Sequence, residues 1–541
     1  MSSFYHGKRI FATDFLEFMC YNRKENLLEA KMHRKIYGFT TTIAHVLSLA
    51  MMLLLFFTAF FFTAYALDME SQLVLFARDH LLAQAAALCV GGGLLFLVGK
   101  WAARKDRYIE KILLVLAMAE ILLLGGLLIL YGKTVPAADA WSVYDAAARL
   151  AVGDTTVIHP ENSYLSYYPQ QVGLMAFLEL LHRIWNMLGI DQHAYHFIKI
   201  IYVLLTMGTV YAQYLAIKIY AGERIVPCLY LVLAMLNLPM IMYSSFVYSE
   251  VPSVCAFSWG AYFLLLFLRK YKRWAWIPGV VCFTLSVMLR KNALILMIAV
   301  VIVLLVEALG RRRWGYLALA VCCMVTSLTI LPAVQKGYEM RSGSTLRTGV
   351  TALSYIAMGM QESSRANGWY NGFNFNTYQD SGMDSEKTDE ISREAIQERV
   401  DYFKENPGAR NVFYWEKYLS QWGDGTYASR QATLATFGGR NAWFESLYQG
   451  KGSRTFIAYA NGYQTLLYLG ALLFLLLPLK NMVRGKGDIV VYLGLIAVLG
   501  GLLFHMIWEA NARYIFTYSL LLMPYAAAGV SKLKLGRLFR K

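Results

Sequence analysis

Ile43 to Leu67 reads IAHVLSLAMMLLLFFTAFFFTAYAL, and Leu113 to Leu130 reads LLVLAMAEILLLGGLLIL. Each run is long enough, as a helix, to cross roughly 30 Å of hydrocarbon. A helix is the form such runs must take, because a lone strand in lipid leaves its backbone N–H and C=O groups unpaired. Working outward from these two, apolar runs and their flanking charges predict twelve spans. They fall at roughly 38–67, 81–99, 112–131, 195–218, 225–243, 251–268, 274–289, 293–309, 315–334, 456–479, 489–507 and 513–531. The whole chain agrees: 57% of its 541 residues are hydrophobic and the mean hydropathy is +0.43, more apolar surface than a soluble fold of this length can bury.

The net charge of +16 raises the question of nucleic acid, and its distribution answers it. Alternating sides along the twelve spans puts 1–37, 100–111, 218–224, 269–273, 310–314, 480–488 and 531–541 together, and these hold 29 Lys+Arg against 8 Asp+Glu. The opposite segments hold 21 against 25. That asymmetry is the positive-inside pattern, so both termini are expected in the cytoplasm and no nucleic-acid partner is implied. None of the seven cysteines falls in an external segment, so no disulfide framework is expected. The polar, basic first 37 residues carry no apolar core with a cleavage site, and the first span is expected to remain as an anchor.

Four regions follow: a cytoplasmic segment 1–37, a transmembrane region 38–334 with an external loop at 132–194, an extracytoplasmic domain 335–455, and C-terminal spans with a basic tail at 456–541. A further span within 132–194 would invert every later basic loop. Its apolar stretches at 140–152 and 169–188 therefore read as interfacial helices. The 335–455 region is of domain size, with 14 basic and 14 acidic residues, and is expected to be mixed in structure. Within it Ser385 to Glu405 reads as an amphipathic helix ended by Asn406-Pro407-Gly408, and Asn367 to Phe373 as an aromatic loop.

Three clusters could carry chemistry. The first runs from Asp139 through Asp145 and Gly153 to Tyr164, Tyr167, Tyr168, Pro169, Gln170 and Gln171. A carboxylate just outside a span can meet a lipid headgroup and a water-borne acceptor together and act as a general base. Asp139 equally fits a helix N-cap, with Gly153 ending that helix. The second is Arg290-Lys291-Asn292 between two spans, where a planar fork and a point charge suit a lipid phosphate, although snorkelling side chains give the same pattern. The third is Trp508-Glu509-Ala-Asn511-Ala-Arg513-Tyr514, whose Glu509 and Arg513 are spaced to pair at i, i+4. Glu250 starts a span on the same side and either lines a cavity or stabilises its helix start. Trp369, Tyr370, Trp415 and Trp422 either stack on sugar rings or form core. His159 has no partner at zinc spacing, so no metal is assigned. Asp139, Asp145, Asp154 and Glu161 leave a divalent cation open, and no other cofactor is called for.

The order of external Asp, aromatic-rich interfacial helix, Gly, Tyr-Pro element and second interfacial helix resembles the first external loop of the GT-C membrane glycosyltransferases. These include the protein O-mannosyltransferases and the lipid A aminoarabinose transferases. The basic turn at Arg290 is similar to their phosphate-binding region, and Glu-x-x-x-Arg-Tyr before a final span resembles a recurrent bacterial GT-C feature. The resemblance implies an all-α polytopic fold and transfer of a sugar from a polyprenyl-phosphate donor to an extracytoplasmic hydroxyl on a glycan, lipid or protein. Asp139 would be the base, and Arg290, Lys291 and Arg513 would bind donor phosphate. Glu250, Glu509, Tyr167, Tyr168 and Gln170 would line the cavity. The chain departs from the O-mannosyltransferases in having Asp139-Ala140 for their Asp-Glu, Tyr168-Pro169 for their Pro-Pro, and three spans before the loop. The resemblance therefore reaches the superfamily and carries no substrate over from either named family. A lipid-linked glycan flippase, for which Glu120 and Glu307 within spans would matter, and a polysaccharide polymerase or ligase remain as alternatives.

Overall fold

The computed structural model describes residues 35–66, 71–102, 107–160, 164–189, 194–221, 224–476 and 487–533. Nearly all of the expected cytoplasmic segment 1–37, most of the basic tail, and Glu161 lie outside the described residues. Among the described residues nine helices are long and apolar enough to cross a membrane: Lys35–Phe61, Leu81–Ala102, Tyr108–Gly132, Ala194–Tyr220, Glu250–Lys270, Lys291–Arg311, Trp314–Ser342, Ile489–Ile507 and Ala512–Lys532. The chain is a multi-pass, all-α membrane protein, with 79% of the described residues helical. The other three expected spans also contain helices, Ile225–Met235, Trp276–Leu289 and Gly450–Leu476, but these are shorter or less apolar.

Local chemistry explains where the elements depart from the apolar runs. The first helix stops at Phe61, and Phe62–Ala66 peels away as a strand paired antiparallel with Val74–Arg78. The aromatic and β-branched residues there suit a pleated surface as well as a helix. The expected span 225–243 breaks at Asn237, whose side chain caps Met240 N at 3.1 Å, because Pro239 lacks the N–H needed to continue the ladder. Helix Trp314–Ser342 runs eight residues past the expected span end. Its 29 residues reach about 43 Å, beyond a hydrocarbon core.

The 335–455 region is not mixed. Its described elements are helices, chiefly Ala352–Gly359, Phe373–Asp380, Ser385–Glu405 and Pro407–Trp422, with one isolated bridge from Thr436 to Thr134. Ser385–Glu405 forms as its pattern predicts, capped by Asp384 on Glu386 N at 2.9 Å. Pro407, read as a terminator, opens the next helix instead, since its missing N–H is no loss in a first turn.

Charged side chains gather at the two ends of the bundle. At one end Arg269 closes helix Glu250–Lys270 and pairs with Asp488 and, at 2.9 Å, with buried Glu307. Arg311 also reaches Glu307, at 2.6 Å, and Tyr37 donates to it at 2.9 Å. Glu307 is thus fully paired rather than an isolated acid. At the other end lie Asp139, Glu250, Arg290 and Arg513, each at the start or end of its helix.

Two helices that reach this second end, Gly450–Leu476 and Ala512–Lys532, approach at glycine. A Cβ on Gly529 would sit 1.9 Å from the Gly470 carbonyl oxygen. We expect Gly529→Leu to destabilise the protein by about 1–3 kcal/mol through overpacking, whereas Gly93→Leu, where a Cβ meets nothing within 4 Å, leaves stability unchanged. Thermal unfolding of the two variants in detergent checks this.

Candidate active site

Asp139 is the first residue of helix Asp139–Ala151. The preceding Ala138, at φ 48° and ψ −128°, is the residue at the N-cap position. No side chain caps this helix start, so the Asp139 carboxylate is exposed and not spent on capping. Ala138 sits in a backbone region that L-residues rarely adopt, at a cost of about 1–3 kcal/mol. The helix ends at Gly153, φ 95°, whose N–H returns to Leu150 O at 3.1 Å. Asp145 acts on Tyr144 of its own helix, and Asp154 pairs with Arg149 at 2.8 Å, so neither joins Asp139.

The tyrosines of the following turns face the carboxylate. Tyr164 lies within hydrogen-bonding reach of Asp139, and Tyr168 and Tyr248 both feel its charge. Burial and these acids push all three phenols above their ordinary range, keeping them neutral hydrogen-bonding groups at physiological pH. Gln171 donates to Tyr248 Oη at 2.6 Å. The segment is fixed by Gly173, where a Cβ would lie 1.9 Å from Met288 O, two residues before Arg290.

Opposite stands a cationic wall built from three helix ends. Arg290 follows helix Trp276–Leu289 and lies 2.5 Å from Glu250 Oε1, with a further bond to Ser249 Oγ at 3.0 Å. Arg513, in the first turn of the last helix, reaches the same Glu250 oxygen at 3.4 Å. By distance these are ion pairs, yet neither Glu250 oxygen nor Arg513 Nε completes a well-aligned hydrogen bond within the described residues. One carboxylate thus serves two guanidinium groups, which leaves a net positive charge and Arg513 Nε without a hydrogen bond among the described residues. Arg290 also lies over Tyr514, and Arg513 over Tyr248, at 5.6 and 5.2 Å from the ring centres.

The 335–455 region supplies the third side. Gly368 O accepts from Ala510 N at 2.8 Å, and Lys417 Nζ is held by Gly359 O at 2.5 Å and Trp508 O at 2.8 Å. Tyr355 stacks on Trp508 with centroids 4.9 Å apart. These contacts clamp the connection that carries Glu509. Burial pushes the Glu509 carboxyl up to about 7, against the pull of Arg513, while Asp139 raises it further. Burial draws Lys417 down to about 7, an effect Glu509 opposes. Tyr370 feels both Asp139 and Glu509, and Arg365 lies over its ring at 5.7 Å.

The structure thus brings together Asp139, Arg290, Arg513, Glu250, Glu509 and Tyr168 from separated stretches of chain. Lys291 does not join them: it is exposed at the start of the turn Lys291–Ala293. Tyr167 turns instead to Phe375, stacking at 4.7 Å, and it is Gln171 rather than Gln170 that bonds Tyr248. The expected Glu509–Arg513 helical pair is not formed, because Asn511 caps the helix and Glu509 precedes it, so Arg513 turns to Glu250. Trp369 and Trp422 are core, with Trp369 Nε1 donating to Ser420 Oγ at 2.8 Å, and Trp415 packs on Phe62. His159 is exposed, and no cluster of three metal-ligating side chains occurs among the described residues. Lys417 was missed, although it carries a visible signal. It lies on the helix face of Phe413, where the period expects an apolar residue.

No protein-family model and no curated protein sequence matches this chain.

Glu509 gives a pH test. Its folded value near 7 lies above the ordinary 4.5, so the stability it lends is full below about pH 4.5 and is lost as pH rises to about 7. Glu509→Gln, which stays neutral throughout, should match wild type at pH 4 and exceed it at pH 8 by up to about 3 kcal/mol. Thermal unfolding in detergent at the two pH values measures the gap.

Proposed function

We propose that the protein is a membrane glycosyltransferase of the GT-C kind, moving one sugar from a polyprenyl-phosphate donor to a hydroxyl of an extracytoplasmic glycan, lipid or protein. In this reading the helices make twelve spans, both termini are cytoplasmic, and the Asp139 end of the bundle faces out of the cell. The observation that carries it is the meeting of an exposed, uncapped carboxylate with two arginines that share a single buried carboxylate at one end of the bundle. Asp139 takes the proton of the acceptor hydroxyl as its oxygen bonds to the anomeric carbon. The bond from that carbon to phosphate oxygen breaks, the electron pair leaves with phosphate, and Arg290 and Arg513 stabilise the charge that develops. Glu250 keeps the two cations close together in a site partly shielded from water, where a fixed charge acts more strongly. Tyr164 orients the base. The flippase reading loses one of its two intramembrane acids, since Glu307 is tied to Arg269 and Arg311.

Purified protein in lipid, given radiolabelled polyprenyl-phosphate sugar and an envelope acceptor extract, should form labelled product. Asp139→Asn should lower turnover by about 10²–10⁴-fold while melting as wild type does. Lipid translocation without glycosidic-bond formation would overturn the proposal.

A further inference from the structure

Within the 335–455 region, residues 433–447 return to the end of a membrane-spanning helix. Asn441 N bonds Tyr131 O and Phe437 N bonds Lys133 O, both at 3.2 Å, and Val135 N bonds Ala435 O at 2.9 Å. With the antiparallel bridge between Thr134 and Thr436, these bonds lay the segment along the chain where helix Tyr108–Gly132 gives way to the turn before Asp139. Side chains continue the contact down the helix. Phe444, in the short helix Ala442–Glu445, is buried with Leu128 and Ile241, and Leu124 and Leu127 pack around them. The 25 residues of the spanning helix reach about 37 Å, so at most about 7 Å can stand clear of a hydrocarbon core of roughly 30 Å. Leu124 lies about 12 Å from the end at Gly132, within that core. A segment packed against this part of the helix stands at the level of the bilayer boundary.

The outward side of the segment has the composition of that level. Phe437 is 82% exposed and Trp443 64%, next to exposed Tyr131 and Leu130, with which the lipid-facing side of the spanning helix ends. Exposed apolar surface of this extent needs a partner, and here it runs on without a break from a face that already meets lipid. Three exposed cations flank it: Lys133, and Lys451 and Arg454 in the first turns of helix Gly450–Leu476. That helix start sits close against the segment, since a Cβ on Gly452 would lie 2.5 Å from Ser446 O. The acid of the short helix, Glu445, is taken by Arg440 at 3.3 Å. Amphipathic aromatics among unpaired cations match the headgroup layer, where rings sit at the boundary and positive charge meets anionic lipid.

We infer that residues 433–447 are a membrane-seated anchor, with Phe437 and Trp443 at the boundary between headgroups and acyl chains. The 335–455 region is then held to the bilayer by lipid as well as by its chain connections. The residues that lead to Asp139 run between this anchor and buried Lys199, whose Nζ bonds Thr134 O at 3.2 Å. The inference is independent of the reaction at Asp139. To test it, a genetically encoded fluorescent amino acid replaces Phe437, Trp443, Leu123 or Glu398, one at a time, in full-length protein. Each variant is placed in phosphatidylcholine–phosphatidylglycerol nanodiscs whose lipids carry a nitroxide quencher either high on the acyl chain or at its middle. Both test side chains are exposed, and either position decides the question if the other variant fails to fold. The probes at Phe437 and Trp443 should lose emission chiefly to the shallow nitroxide. The probe at Leu123, exposed within the span, should lose it chiefly to the deep one, and the probe at Glu398, exposed on helix Ser385–Glu405, to neither. Emission at Phe437 and Trp443 as unquenched as at Glu398 would overturn the anchor and leave the patch to water or to a protein partner. Quenching there chiefly by the deep nitroxide would overturn its placement at the boundary.

Discussion

The candidate site depends on one buried carboxylate, Glu250, set between Arg290 and Arg513. Without it, two guanidinium groups would face each other in a poorly solvated space, and the three helix ends that carry them would be driven apart. With it, the start of one helix, the end of its neighbour and the start of the last helix are drawn to a point. A buried ion pair of this kind seldom adds much net stability, because desolvation offsets the attraction. Its effect is positional. The carboxylate sets the spacing of the cations, and as one charge between two it leaves them with a net positive charge toward a further anion.

The rest of the site is assembled around that fixed wall by close backbone approaches. Gly173 lets the loop helix Val172–Met187 sit on Met288 O, which fixes the Tyr164–Gln171 turns beside Arg290. Gly368, at φ 72°, meets the Lys417 stem, and its carbonyl receives Ala510 N. A side chain at either glycine would push one wall away. The helices of the 335–455 region therefore act as part of the site: through Lys417 and Trp508 they set where Glu509 stands.

Much of the fold was legible because the bilayer imposes a strict rule. Apolar runs near 20 residues had to be helices, and each expected span contains one. Errors fell where a run was apolar enough for lipid but carried a local instruction, such as Pro239 after Asn237 or the strand-prone Phe62–Ala66. Asp139, Glu250, Arg290 and Arg513 were legible as charges at helix ends, against the trend of their surroundings. Lys291 and Tyr167 were not separable from their neighbours, because adjacent residues on a turn point to different sides and no linear pattern fixes the phase. Arg365 was hidden for another reason: it reaches the site through contacts between segments far apart in the chain.

The strand pair Phe62–Ala66 and Val74–Arg78 bears on how the chain is made. Its backbone is tied to the 335–455 region through Ala64 N to Gly423 O and Val74 N to Arg365 O, both 2.9 Å. During synthesis the first helix and this hairpin emerge long before residues 365 and 423 exist. The early strands must wait, edges unpaired, while most of the helices insert. Closure of the site is thus a late event in biogenesis, and a ribosome product truncated before these residues would lack Arg513 as well as the helices that pack over it.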